Sequence, residues 1–98
     1  MNMQNLMMQA KKMQKDIEKA QTELESKNDE GKSQMVTAVI SGKGKLISLN
    51  IDMNDFSSDD KEIIEDMVLV AVNSAIEKME ADKADKFGKY GQMFNGLM

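Results

Sequence analysis

Six consecutive apolar residues, Met67, Val68, Leu69, Val70, Ala71 and Val72, lie inside a stretch from about residue 59 to about residue 86 that contains neither glycine nor proline. Such a stretch reads as one long helix. At 3.6 residues per turn, six successive side chains point in every direction around its axis, so a single sheet cannot cover them all. The chain has 98 residues, and a chain this short buries a smaller share of its surface than a larger protein does. It has no cysteine, which removes disulfides and thiolate zinc sites as supplements to a thin core. Self-association is the stabilising route that remains, and these six residues are the expected dimer interface. The alternative is a monomer whose first helix covers the excess.

The rest of the chain reads as a helix and a small sheet ahead of that long helix. Met3, Leu6, Ala10, Met13, Ile17, Ala20 and Leu24 alternate in steps of three and four, giving a helix with an apolar seam every 3.5 residues. The seam suits a partner helix or packing on the chain's own sheet. Helix character fades at Ser26, and Asn28, Asp29, Glu30 and Gly31 read as a turn. From Gln34 the period changes to two: Val36, Ala38 and Ile40 alternate with Met35, Thr37 and Val39 to make a strand. Ser41, Gly42, Lys43 and Gly44 form a hairpin connection. The second strand, residues 45–52, is expected to place Ile47, Leu49 and Ile51 on one dry face. Ser57, Ser58, Asp59 and Asp60 offer alternative N-caps for the long helix, and the residues from about Gly88 read as a flexible tail. The expected fold is α+β in one domain: a long N-terminal helix, a small antiparallel sheet and a long C-terminal helix.

Composition narrows the chemistry. Histidine is absent, so the commonest general base and transition-metal ligand is missing. Neither catalytic residues nor metal nor cofactor are expected; paired acids such as Asp59-Asp60 and Glu65-Asp66 suit capping and solvent exposure. Gly42-Lys43-Gly44-Lys45 lacks the spacing and the strand-to-helix setting of a phosphate-binding loop and reads as a lysine-decorated hairpin. Residues 1–8 lack the basic start and unbroken apolar run of a signal peptide, and no stretch approaches the roughly 20 apolar residues of a membrane helix. The expected compartment is the cytoplasm.

The run Glu65-Asp66-Met67-Val68-Leu69-Val70-Ala71-Val72-Asn73-Ser74-Ala75 resembles the helix signature of the YbaB/EbfC family of nucleoid-associated proteins, approximately E-D-L-V-x-A-A-x-N-D-A. Met35-Val36-Thr37-Ala38-Val39-Ile40-Ser41-Gly42 is similar to the family's L-V-x-V-x-x-N-G strand, Ile51-Asp52 follows at the family's distance, and Gln9-Ala10 with Met13-Gln14 resembles its first helix. Three departures stand out. The usual glycine pair before the strand is Ser33-Gln34 here, leaving open a third short strand near residues 25–32; the acid of N-D-A is Ser74; and arginine is absent. The resemblance implies an α+β fold in a tweezers-like homodimer with projecting helices, duplex DNA as partner, and a role at the nucleoid in its organisation and in gene regulation.

The thirteen basic residues, all Lys, are outweighed by seventeen acids for a net charge of −4, so a DNA surface must be local. Residues 1–24 carry +1, whereas residues 59–82 carry −6. Lys11, Lys15 and Lys19 recur every fourth residue on the side of the first helix opposite its seam, over about 12 Å at 1.5 Å per residue. With Lys12, and with Lys83, Lys86 and Lys89 near the end of the other long helix, they are the candidate DNA contacts. By charge pattern alone they read first as a solvated face held in i to i+4 pairs, and it is the family resemblance that favours DNA contact. Without arginine, the commonest base-specific contact is missing, and lysine contacts to phosphate carry no sequence information. Phe56, Phe87, Tyr90 and Phe94 lie near element ends or in the tail, unlike a surface for stacking on single strands. Met3, Met7, Met8 and Met13 suit core or dimer packing, or an adaptable surface docking a replication or recombination protein, which is the competing function.

Overall fold

The computed structural model describes the backbone of residues 2–97 and the side chains of residues 2–88. Helix α1 spans Met3–Glu25, and strands β1 (Asn28–Ser33), β2 (Val36–Ser41) and β3 (Leu46–Ile51) follow. After a 3₁₀ turn at Ser58–Asp60, helix α2 spans Lys61–Leu97. The sheet is antiparallel in the order β1-β2-β3. The arrangement is the expected α+β one, with three strands and with α2 running past residue 86 through Gly88, Gly91 and Gly96. The expectation of a flexible tail falls mainly on residues whose side chains lie outside those described.

Asn2 starts α1, its Oδ1 accepting from Gln4 N at 3.0 Å. Ser57 N donates to Asp60 Oδ2 at 3.0 Å while Asp60 N donates to Ser57 O at 3.1 Å, so of the four candidate caps Ser57 and Asp60 act together. Val36 and Ala38 of β2 pack against Met67 and Ala71 of α2, with Ile51, Met53, Ile64, Val68 and Val72 around them.

The segment read as a turn at residues 28–31 is strand β1, and the reversal comes later, at Gln34 and Met35 between the paired Ser33 and Val36. A polar strand is tolerated there because Gly31 lets α2 lie directly on it. A Cβ at that position would fall 2.1 Å from Ala71 O and 2.4 Å from Ala75 N. Gln34, a residue other than glycine, sits at φ 51°. For a residue with a Cβ that region costs roughly 1–2 kcal/mol. Part of the gain from glycine is offset by its freer unfolded chain. Gln34→Gly is therefore expected to stabilise the protein by about 0.5–1 kcal/mol, read as a melting temperature a few degrees higher at fixed protein concentration.

Strand β3 departs from simple alternation. Ile40 pairs with Leu46 but Val39 pairs with Ser48, so Ile47 occupies a bulge. The extra residue switches faces, and Leu46 joins Leu49 and Ile51 on the side of Val36, Ala38 and Ile40. That side is not dry: β3 is an edge strand on which Leu46 and Leu49 are exposed, as is Ile47 in the bulge.

The radius of gyration is 20.0 Å and the extents are 71 × 23 × 13 Å. A compact chain of this length has a radius near 13 Å, so the helices reach well beyond the sheet. Only Ala20 and Leu24 of α1 are buried, whereas Met3, Leu6, Met7 and Met8 are exposed.

Candidate nucleic-acid interface

Helix α1 presents Lys11, Lys12, Lys15 and Lys19 to solvent, while Met13 and Ile17 are half-buried and Ala20 and Leu24 are buried on the opposite side. Successive residues turn by about 100°, which sets Lys11, Lys15 and Lys19 on a narrow stripe facing away from the seam. None of the four forms an ion pair among the described residues. No i to i+4 ion pair closes on the stripe there, and the one i to i+4 charge interaction is that of Lys19 with Glu23, which is bound to Lys86.

Other lysines are engaged. Lys86 Nζ meets Glu23 Oε2, Lys27 Nζ lies 3.1 Å from Asp82 Oδ2, and Lys78 Nζ donates to Glu30 O at 2.6 Å. Looser pairs join Lys32 to Glu30 at 3.9 Å and Lys61 to Glu65 at 4.0 Å. Lys86 is thus held within the chain, Lys83 is exposed and unpaired among the described residues, and the side chain of Lys89 lies outside them.

The pairs 23 with 86 and 27 with 82 show that α1 and α2 run antiparallel where they meet, and they root the stripe-bearing helix at its C-terminal end. Lys86, by hydrogen bond and charge, holds Glu23 below the usual glutamate range. Burial and a hydrogen bond with Asp82 push Asp29 up, and the Asp29 hydrogen bond together with Lys27 pulls Asp82 down. Asp82 in turn raises Lys27. The lowered Glu23 and Asp82 contribute stability above the ordinary carboxylate range and lose it as pH falls through their lowered values. Asp29 acts in the opposite sense, its contribution fading as pH rises through its raised value. This cluster is not legible in the sequence, because each contact that ties it to α2 joins residues more than fifty positions apart.

The six apolar residues of α2 divide by facing. Met67 and Ala71 are buried against the chain's own sheet, and Val68 and Val72 are half-buried at the edge of that core. Leu69 and Val70 are 60% and 56% exposed, as is Ile63 one or two turns earlier at 56%. Among the described residues no group of three or more acids, histidines or cysteines is placed to hold a metal ion, and no helix is long and apolar enough to cross a membrane.

Residues 1–94 match the sequence profile described as the YbaB/EbfC DNA-binding family. A nucleoid-associated protein of Streptococcus suis, SSU05_0194, is 39% identical over 92 residues, covering 92% of this chain and 93% of that one. The nucleoid-associated protein TTE0040 of Caldanaerobacter subterraneus is 42% identical over 96 residues, covering 96% of this chain and 86% of that one. The crystal structure of the uncharacterized protein HP0035 from Helicobacter pylori superposes with a TM-score of 0.62 over 100% of this chain and 99% of that one, at 22% identity, a likeness of fold.

Proposed function

The chain belongs to the YbaB/EbfC DNA-binding family, and from that premise we propose that it works as a homodimer that binds duplex DNA through phosphate contacts, with little regard to sequence, in organising the nucleoid and influencing gene regulation. The observation that carries the reading is the row Lys11, Lys15 and Lys19, exposed and in no ion pair among the described residues, in a protein of net charge −4. Phosphate is the partner such a row fits, since of the chain's own acids only Glu23 is seen to act on it, through charge on Lys19 at its end. The names of the relatives, nucleoid-associated proteins, support the cellular setting. The family is one of DNA-binding proteins and not of enzymes.

Salt titration of binding to unrelated duplexes tests the reading. Log affinity is expected to fall linearly with log salt, with similar slopes for every sequence. Affinity that is flat in salt, or confined to one sequence, would overturn it.

Dimerisation is supported by two uncovered surfaces. Leu69, Val70 and Ile63 leave an apolar strip on α2, and β3 leaves an open edge with Leu46, Ile47 and Leu49 exposed. The structure separates two substitutions that the sequence treats alike. Val70→Asp adds a charge on the exposed strip and is expected to yield folded monomers in sedimentation. Val68→Asp puts the charge beside the chain's own core and is expected to unfold it. A folded dimer retained in Val70→Asp would remove residue 70 from the interface.

A further inference from the structure

We infer that the hairpin between β2 and β3 is a second DNA-contacting element, with Lys43 and Lys45 meeting phosphates other than those met by the α1 stripe. The inference rests on the duplex-binding reading and adds residues that neither the helix stripe nor the family's helix signature includes. Lys43 and Lys45 are exposed and form no ion pair among the described residues. No acid lies between Ser41 and Leu49, so the turn itself carries only positive charge, while the acids near its base, Asp29, Asp82 and Asp85, gather around Lys27.

Three features make the tip more than two solvated side chains. Its backbone is closed on itself: Ser41 N donates to Lys45 O at 2.8 Å, Gly44 N donates to Ser41 O at 2.8 Å, and Ser41 Oγ accepts from both Lys43 N and Lys45 N at 3.3 Å. Gly44 takes φ 84°, a region open to glycine at little cost. The two lysines therefore project from a preformed turn, and less ordering is needed on binding.

The hairpin is also fixed to the helix that bears the stripe. Gly42 N donates to Lys27 O at 2.9 Å, and a Cβ on Gly42 would fall 1.7 Å from Leu24 O. Only glycine allows this approach, so the tip moves with the last turn of α1. From Lys19 to Leu24 is about 7.5 Å along the helix, close to the spacing of about 6 Å between Lys11, Lys15 and Lys19. Along the axis of α1, stripe and tip together span about 20 Å, with the tip seated at the end of the helix. The acid nearest in sequence on the α1 side, Glu25, is half-buried and accepts from Gln21 Nε2. The carbonyls at the end of α1 carry partial negative charge, which favours lysines placed there.

The test is a salt titration of duplex binding by the full chain carrying Lys43→Gln and Lys45→Gln. The slope of log affinity against log salt is expected to shrink by up to about 1.8 per chain, at about 0.9 for each phosphate no longer neutralised, for every duplex tried. Melting should be unchanged because both side chains are exposed, and Lys43→Arg with Lys45→Arg should keep the slope. A slope unchanged in the double glutamine variant, while substitution of Lys11, Lys15 and Lys19 lowers it, would overturn the inference and leave the duplex-binding reading standing. Absence of salt-dependent binding by the unaltered chain would instead remove that reading, and the hairpin's role with it.

Discussion

Gly31→Ala is expected to lower the melting temperature by on the order of 15 °C, although it adds a single methyl group to a polar strand. The methyl carbon would lie 2.1 Å from Ala71 O and 2.4 Å from Ala75 N, and both are backbone atoms of a helix that cannot rotate out of the way. Relief requires α2 to move off β1 by more than an ångström. Ala71 and Ala75 are fully buried in that contact, and Val36, Ala38 and Met67 share the core that would open. Overpacking of this kind costs typically 1–3 kcal/mol and occasionally more, and here the rigid backbone on both sides favours the upper end. About 3 kcal/mol is a large part of the stability of a domain this size, and each kcal/mol shifts melting by about 4–8 °C. Thermal unfolding followed by circular dichroism at one protein concentration checks it, since melting of an associating protein depends on concentration. A shift under 3 °C would mean that α2 does not lie on β1 as closely as described.

Gly31 also shows why the sheet is only partly legible in the sequence. Strand β2 announces itself, since Val36, Ala38 and Ile40 alternate with residues of the other face and are buried together. Strand β1 consists of Asn28, Asp29, Glu30, Gly31, Lys32 and Ser33, none of them a strand former. Its pairing with β2 and its contact with α2 impose the strand, a tertiary effect that local propensity does not carry. In β3 the two-residue period is visible, but the bulge at Ile47 shifts it by one, and no residue there marks the shift. The long helix is recognisable from the absence of breakers. Its start is narrowed by Ser57 and Asp60 acting together, and its course through Gly88 and Gly91 runs against the low helix propensity of glycine.

The candidate site is legible to a different degree. Spacing alone places Lys11, Lys15 and Lys19 on one side of α1, because a helix fixes that geometry wherever it packs. Spacing does not separate free lysines from engaged ones. Lys83 and Lys86 look equivalent in sequence, yet Lys86 is bound to Glu23, sixty-three residues away, and Lys83 forms no ion pair among the described residues. The same limit hides Lys43 and Lys45, whose relevance comes from the seat of Gly42 against the end of α1. Apolar residues follow the same rule: the run 67–72 signals excess apolar surface, and only the fold assigns Met67 and Ala71 to the inside and Leu69 and Val70 to the outside.

Replacing Lys11, Lys15 and Lys19 together by Gln is expected to produce the largest loss of DNA binding available from one element. Glutamine keeps helix propensity close to that of lysine, and the three side chains are exposed and without ion pairs among the described residues, so folding and dimerisation should be untouched. If each lysine meets a phosphate in both subunits of a dimer, six phosphates go unneutralised in the variant. At about 0.9 for each, the slope of log affinity against log salt should then fall by on the order of five units. The loss should be uniform across unrelated duplexes, because phosphate contacts position a protein without reading bases. A smaller fall, near half of that size, would mean that only one subunit's stripe engages a given duplex. Binding and slope both unchanged, with the dimer intact by sedimentation, would show that the stripe is a solvated face and that the phosphate contacts come from elsewhere, with the unpaired Lys83 and the hairpin lysines the next residues to substitute.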